Sequence, residues 1–170
     1  QEMIYETTFH ASSPAYLADH CIYGTAVFPA AGYAEMALAA GADARPGQDV
    51  ILQGLAIQQA MFLEPGSTRV VRSILVREEQ DLFSFRVCSR SAGDEGDESS
   101  WSEHASGKLI VQEKGPEPDR VDLQSLRTSL TESVDVAELY EAFHQRGLEY
   151  GPQFQAVRSL RTGAGQSLGE

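Results

Sequence analysis

Cysteine, basic residues and long apolar runs are scarce in this 170-residue chain, and each shortage excludes a class of protein. The two cysteines, Cys21 and Cys88, are too few for a disulfide framework, which favours a reducing compartment such as the cytoplasm. Lysine and arginine number 13 against 25 aspartates and glutamates, and the net charge of -12 argues against a nucleic-acid partner, because phosphates require basic surface. No apolar run approaches the ~18 residues of a membrane-spanning helix, and no signal-peptide pattern begins the chain.

The remaining composition is typical of one soluble domain without a metal or nucleotide site. The four histidines and two cysteines show no zinc-type spacing, and no glycine-rich phosphate loop occurs. Hydrophobic residues make up 42% of the chain, and its length allows a real core. The chain begins with Gln1 in place of Met, which indicates a piece of a longer polypeptide, and we expect residues 1–170 to form one subdomain.

The spacing of apolar residues predicts one helix near the start of the chain and a series of strands after it. A strand over Met3–His10 is followed, after Pro29, by a helix over Ala30–Ala40 with Gly41 as its C-cap. Short reversals favour antiparallel neighbours among four further strands, predicted at Val50–Phe62, Thr68–Arg77, Leu82–Ser91 and Trp101–Gln112.

The last third of the chain predicts a second helix and a final strand. Asp135 is placed to cap a helix over Val136–Arg146, with Gly147 at its end. A strand over Phe154–Thr162 is expected to run into a glycine-rich tail, and the acidic stretch 93–100 is predicted to be an exposed hairpin tip. This order of elements indicates an α+β fold, in which an antiparallel sheet wraps around one central apolar helix.

The most informative motif is His20-x3-Gly24-x4-Pro29, which leads directly into the first predicted helix. It places a base near backbone N–H groups that have no acceptor within the helix. This combination suits proton abstraction beside a carbonyl, because the carbonyl oxygen gains negative charge as the proton leaves. A lone histidine on an apolar strand is more often structural, and the spacing to Gly24 and Pro29 is what favours a catalytic role.

This motif resembles the signature of the dehydratase domains of modular polyketide synthases. Residues 147–155, Gly-Leu-Glu-Tyr-Gly-Pro-Gln-Phe-Gln, resemble the family's G-Y-x-Y-G-P-x-F motif, with Leu148 where the family usually has tyrosine. Residues 101–107, which read W-x2-H-A-x-G, resemble the family's penultimate strand. The three matches follow the family's order and extend over most of the chain.

The resemblance implies a hotdog fold, with this chain as the N-terminal half of a double hotdog and the second hotdog absent. It implies dehydration of a β-hydroxyacyl thioester, carried on the phosphopantetheine arm of an acyl carrier protein, to an α,β-enoyl thioester. His20 would take the α-proton, and the amides of the helix start would receive the thioester oxygen. The substrate-binding residues implied are Gly24, Pro29, Ala30, Ala31, Tyr150, Gly151 and Pro152.

The acid of the family's reaction is missing from this chain. In the family it is an aspartate of the second hotdog in a D-x3-Q or D-x3-H context, and Asp19 is expected to point away from His20 on a strand. The isolated chain is therefore expected to be nearly inactive. The implied partners are the second hotdog half, a carrier protein and a second copy of the chain, with no cofactor, metal, nucleic acid or membrane.

Other candidate side chains are interpreted as structural. Cys21 would face away from His20, which excludes a Cys–His dyad and favours a small core residue. His104 beside Trp101 is expected to be structural, and His10 and His144 are expected at the surface.

Two groups of alternatives remain open. A product-template cyclase or a double-bond-shifting isomerase would use the same histidine and helix start on a different acyl chain. A catalytically inert hotdog would shape a synthase or bind acyl thioesters without turnover.

Overall fold

The computed structural model describes residues 2–94 and 100–170, so most of the predicted acidic hairpin tip, 95–99, lies outside the described residues. The chain forms two compact units. The first comprises Gln1–Leu17 and Thr25–Pro116, and the second comprises Ala18–Gly24 and Glu117–Glu170. The expectation of one subdomain over 1–170 stays a prediction.

In chain order the strands are β1 (Glu2–Phe9), β2 (His20–Ile22), β3 (Thr25–Val27), β4 (Asp49–Ile57), β5 (Phe62–Leu63), β6 (Arg69–Arg77), β7 (Leu82–Ser91), β8 (Ser102–Gln112), β9 (Glu132–Val134), β10 (Leu148–Tyr150), β11 (Leu160–Gly163) and β12 (Gln166–Gly169). The α-helices are α1 (Ala30–Ala44), α2 (Leu123–Ser129) and α3 (Val136–His144), and a 3₁₀ turn covers Ala15–Asp19.

The first unit is built on a five-stranded antiparallel sheet in the order β1-β6-β7-β8-β4. Helix α1 packs against four of these strands, β4, β6, β7 and β8. The core between helix and sheet contains the largest buried side chains of this unit, among them Tyr33, Phe83, Phe85, Leu75 and Leu109. An antiparallel sheet around one central helix is the hotdog arrangement, and the predicted α+β class is confirmed.

Helix α1 begins where the sequence predicts and continues further. Pro29 precedes its first turn in an extended conformation, as a proline at a helix start favours. The expected C-cap at Gly41 is wrong, because the helix continues to Ala44 and the N–H of Arg45 donates to the Gly41 carbonyl. Gly41 instead lies at the packed face, where an added Cβ would be 2.7 Å from Val50 Cγ1. Its lack of a side chain permits the close approach of helix and sheet.

Strand boundaries differ from the predictions mainly around residue 60. The predicted strand Val50–Phe62 is two strands, because β4 ends at Ile57 and the short β5 pairs with β3. Strand β7 has the predicted bounds, β6 and β8 begin one residue later than predicted, and β1 begins and ends one residue earlier.

The second unit contains α2, α3, a three-stranded sheet in the order β12-β11-β9, and the β2–β10 pair. Asp135 caps α3 as predicted, with its carboxylate accepting from the N–H groups of Ala137 and Glu138. The predicted strand Phe154–Thr162 is wrong over its first six residues, since strand β11 begins at Leu160. The expected tail is a hairpin of β11 and β12.

Among the described residues, no helix combines the length and the apolar character that crossing a membrane requires.

Candidate active site

His20 lies on a three-residue strand whose partner carries the second sequence motif. Strand β2 pairs antiparallel with β10, so that His20 is opposite Tyr150, Cys21 opposite Glu149 and Ile22 opposite Leu148. The two motifs are 130 positions apart in the chain, and the strand pairing makes their central residues neighbours. This juxtaposition is the core of the candidate site.

Two aromatic rings contact the imidazole of the half-buried His20. The centroid of the Tyr150 ring lies 5.4 Å from the centroid of the His20 ring, and the two rings are stacked with an interplanar angle of 26°. The centroid of the Phe154 ring lies 4.9 Å from that of His20, with an interplanar angle of 51°. Phe143 of α3 meets the Tyr150 ring edge-on at 5.8 Å. We call Tyr150, Phe154 and Phe143 the aromatic cluster. Two rings of this cluster, those of Tyr150 and Phe154, limit the orientations open to the imidazole.

A tight turn follows the histidine strand and explains Gly24. Tyr23 and Gly24 both have positive φ, 48° and 77°, which glycine adopts without a steric cost. The N–H of Tyr23 donates to the Gly147 carbonyl at 2.9 Å. Gly147 itself has φ 81°, and an added Cβ would lie 2.3 Å from the Tyr23 ring. Gly24 therefore shapes the turn, and Gly147 is required both by its backbone and by the neighbouring ring.

Pro29, Ala30 and Ala31 lie in the other compact unit, at the start of α1. No side chain caps this helix, and amides of a first turn have no acceptor within the helix itself. The Ala30 and Ala31 side chains are exposed. The absence of a side-chain cap is compatible with the predicted role of these amides, which stays a prediction.

Gly32 is a residue of this helix start that the sequence analysis missed. An added Cβ would lie 2.5 Å from the Phe28 ring, whose centroid is 4.9 Å from both the Phe9 ring and the Tyr33 ring. The glycine lets the buried Phe28 ring pack across the first turn.

The Tyr150-Gly151-Pro152 segment continues β10 into a turn. The N–H groups of Phe154 and Gln155 both reach the Gly151 carbonyl, at 2.9 and 3.2 Å, and the Gln155 side chain donates to the Tyr150 carbonyl at 2.6 Å. A cavity of about 850 Å³ opens in the same unit, lined by residues that include Cys21, Tyr140, Leu148, Tyr150, Gly151 and Val157. The predicted substrate residues Tyr150 and Gly151 therefore line an open cavity, while Pro152 is exposed beside it.

Asp19 differs from its prediction. It ends the 3₁₀ turn rather than lying on a strand, and its carboxylate accepts a hydrogen bond from the Gln153 N–H at 2.9 Å. No role for Asp19 is predicted from the sequence.

Cys21 is not the small core residue that was predicted. It is only half-buried, its Sγ donates to the Ala18 carbonyl at 3.2 Å, and it lines the cavity. Partial burial raises the pKa of its thiol, and the charges of Glu149 and Asp19 raise it further. A raised pKa disfavours the thiolate, so the environment is unsuited to a nucleophile.

His104 has a structural environment within the first unit. It is 1% exposed, its Nε2 lies 2.7 Å from the Ser89 hydroxyl and its Nδ1 lies 3.1 Å from the Gln59 carbonyl. The carbonyl can only accept, so Nδ1 carries the proton and Nε2 accepts from Ser89. Burial lowers the pKa of His104, which favours this neutral form.

The two histidines predicted at the surface, His10 and His144, are exposed. Within residues 2–94 and 100–170, no cluster of three or more potential ligands is arranged to hold a metal ion.

The chain is similar to dehydratase domains of polyketide synthases along nearly its whole length. Residues 1–90 match the family described as "Polyketide synthase dehydratase domain", and residues 118–170 match "Polyketide synthase dehydratase N-terminal domain". Among curated proteins, polyketide synthase GfsE of Streptomyces halstedii is 30% identical over 173 residues, covering 100% of this chain and 4% of that protein. The pikromycin polyketide synthase component PikAII of Streptomyces venezuelae is 32% identical over 146 residues, covering 85% of this chain and 4% of that protein.

Solved structures that are similar to this chain are also dehydratase domains of polyketide synthases. The dehydratase domain from the CurK module of curacin polyketide synthase superposes with a TM-score of 0.89 at 26% identity, covering 99% of this chain and 58% of that one. The same dehydratase has been solved as two inactive mutants, one with histidine changed to phenylalanine and one with aspartate changed to asparagine. The chain thus spans a small part of the curated synthases and little more than half of the solved dehydratase domain.

Proposed function

Since the chain belongs to the family of polyketide synthase dehydratase domains, we propose that it supplies the base, His20, for dehydration of a β-hydroxyacyl thioester held on an acyl carrier protein. The observation that supports this most is the β2–β10 pairing, which puts His20 opposite Tyr150 and joins the two family motifs. The reaction removes a proton from the α-carbon and hydroxide from the β-carbon, leaving an α,β-enoyl thioester and water.

In the proposed reaction, the chain's own groups have separate tasks. The neutral imidazole of His20 accepts the α-proton, and the electron pair of the broken C–H bond moves toward the thioester carbonyl. The first-turn amides of Ala30 and Ala31 stabilise the charge on that oxygen, an effect worth about 3 kcal/mol for one donor. Gly24 and Pro29 shape the two backbone segments, and Tyr150, Gly151 and Pro152 line the acyl chain's path.

The proton that converts the departing hydroxyl to water must come from outside this set of residues. We propose that an aspartic acid of a second hotdog half supplies it, so that the full site needs both halves. The CurK dehydratase with aspartate changed to asparagine is inactive, which supports a requirement for an aspartate carboxyl group in that relative. The chain by itself is therefore incomplete as an enzyme.

The partners follow from the same reaction. The substrate reaches the site on the phosphopantetheine arm of a carrier protein, in the cytoplasm, and no further cofactor takes part. Because carrier proteins are acidic and this chain has a net charge of -12, we expect the encounter to depend on a local basic patch or on tethering within one polypeptide rather than on long-range charge attraction. Pairing of two copies completes the proposed assembly.

Product identity tests the proposed reaction. The full-length protein that contains this chain is incubated with a β-hydroxyacyl carrier protein and followed by intact mass. We expect the loss of the mass of one water. Unchanged mass with a moved double bond would instead indicate an isomerase, an aromatic product would indicate a cyclase, and binding without turnover would indicate an inert hotdog.

A further inference from the structure

His20 is the first residue of the short strand β2. The strand makes three residue pairs with β10, and His20 forms the first of them. The residue before His20 is therefore placed to support the end of the β2–β10 ladder, where fraying of an element begins.

Asp19 provides such a support through two hydrogen bonds to the far segment. Its backbone carbonyl accepts from the Gly151 N–H at 2.7 Å, which extends the ladder by one step. Its carboxylate Oδ2 accepts from the Gln153 N–H at 2.9 Å. One residue thus holds the turn after β10 at two points, directly beside His20 in sequence.

Gly151 makes room for this carboxylate. An added Cβ would lie 2.4 Å from both Cγ and Oδ1 of Asp19, closer than real contacts allow. The Asp19 side chain is short, and its carboxylate already accepts a hydrogen bond from the Gln153 N–H. A larger residue at Gly151 must therefore displace this carboxylate. The glycine of the second motif and the aspartate before the histidine therefore form one structural unit.

The turn held by Asp19 carries the rings that contact the imidazole. Tyr150 precedes Gly151, Phe154 follows Gln153, and their rings lie 5.4 and 4.9 Å from the His20 ring. A shift of the turn moves both rings relative to the imidazole. Misplacement of a reacting group by about 1 Å can cost a rate factor near 10².

We propose that Asp19 is a positioning residue for His20, acting as a hydrogen-bond acceptor that fixes the turn of Tyr150–Phe154. Its role depends on the oxygen directed at the Gln153 N–H and not on the negative charge. The expected effect of Asp19 on the rate rests on the proposed function. The expected effect of Asp19 on the surroundings of the His20 ring rests on the structure alone.

The rate test compares three substitutions in the full-length protein. Asp19→Ala removes the acceptor, and we expect kcat for dehydration to fall about 10- to 100-fold with KM within about threefold. Asp19→Asn keeps an oxygen acceptor of the same reach and is expected to recover kcat to within about threefold of wild type, with an unchanged pH profile of kcat/KM. Gly151→Ala is expected to reproduce the loss, and the double variant Asp19→Ala/Gly151→Ala to be no worse than either single change.

Matched controls separate this effect from a general loss of stability. Asp122 also accepts from two backbone N–H groups, at the start of α2, and Gly163 has no atom closer than 3.5 Å to an added Cβ. Asp122→Ala and Gly163→Ala are expected to leave kcat unchanged. Full activity in Asp19→Ala would overturn the proposal, as would equal losses in Asp19→Ala and Asp19→Asn, which would indicate that the charge is required.

A second readout does not depend on turnover. The aromatic rings near His20 shift the NMR signals of its ring protons, which are observable with isotopically labelled histidine. We expect Asp19→Ala to move these signals toward the values of an exposed histidine, and Asp19→Asn to leave them near wild type. Unchanged signals in Asp19→Ala would overturn the positioning role even if the protein catalyses another reaction. Absence of dehydration by the wild type would instead overturn the proposed function.

Discussion

At the scale of single residues, His104 has the environment with the clearest dependence on pH. It is buried, its two ring nitrogens contact Ser89 and Gln59, and burial lowers its pKa. In the unfolded chain a histidine titrates near pH ~6.5. Between that value and the lower pKa of the folded state, the unfolded chain binds a proton that the folded chain does not. Stability is therefore expected to fall as the pH falls below about 6.5.

We predict that His104→Gln flattens this dependence. Urea unfolding at pH 8 and at pH 5.5 gives the change in unfolding free energy for each variant, and one proton contributes at most about 1.4 kcal/mol per pH unit. The exposed His144 serves as control, since His144→Gln is expected to keep the wild-type slope. If the unfolding free energy changes equally between pH 8 and pH 5.5 in wild type and His104→Gln, His104 is not the source of the pH dependence.

The reasons for individual glycines could be predicted from the sequence only in part. Gly24 was recognised through its spacing from His20, and its positive φ fits that interpretation. The reasons for Gly151 and Gly32 lie in contacts with Asp19 and with the Phe28 ring, neither of which has a signature in local spacing. Close approach between chain segments is a property of packing, so the identity of the neighbour had to come from the structure.

At the scale of elements, the packing of α1 against the sheet predicts the direction in which Gly41→Ala changes the unfolding free energy. In an open helix interior, replacing glycine by alanine stabilises by about 1 kcal/mol. At Gly41 the new Cβ would lie 2.7 Å from Val50 Cγ1 and 3.1 Å from Leu109 Cδ1. Overpacking of this kind costs about 1–3 kcal/mol. Gly41→Ala is therefore expected to lower the unfolding free energy, as measured by urea unfolding.

A second substitution checks the cause. Val50→Ala removes the methyl groups nearest to the new Cβ, so the double variant Gly41→Ala/Val50→Ala should be less destabilised than the sum of the two single changes. Additive effects, or a stabilised Gly41→Ala, would show that Gly41 is not held against the sheet.

Elements with strong local signals were predicted best. The helix after Pro29, the cap at Asp135 and the bounds of β7 follow from proline, aspartate and apolar alternation in the sequence. Helix α2 was missed although Asp122 caps it by accepting from Gln124 and Ser125. It is only seven residues long, and none of its side chains is buried, so an apolar period was lacking.

The hairpin of β11 and β12 was also missed. Its turn uses Ala164 and Gly165, both with positive φ, 49° and 75°. A glycine-rich sequence is compatible with an irregular tail as well as with a turn, and the unusual backbone of Ala164 is not encoded by its own preference. The antiparallel pairing of β11 with β12, which local sequence does not show, makes this segment a hairpin.

At the scale of the whole molecule, the chain's two compact units carry different parts of the proposed chemistry. His20, Tyr150 and Gly151 belong to the second unit, and Pro29 with the first turn of α1 belongs to the first. The hotdog arrangement and the family were both predicted from ordered motifs, because those motifs combine fixed spacing with specific residue types. The pairing of β2 with β10 joins residues far apart in sequence, and no local pattern predicts such a contact.

The most direct test is the rate of dehydration by the full-length protein with His20→Ala, compared with its wild type and with His10→Ala, at an exposed histidine, as a matched control. Removal of a general base typically costs a factor of about 10²–10⁴. We predict a loss of that size for His20→Ala, with the protein folded and with His10→Ala at the wild-type rate. Water loss at the wild-type rate in His20→Ala would contradict the assignment of His20 as the base.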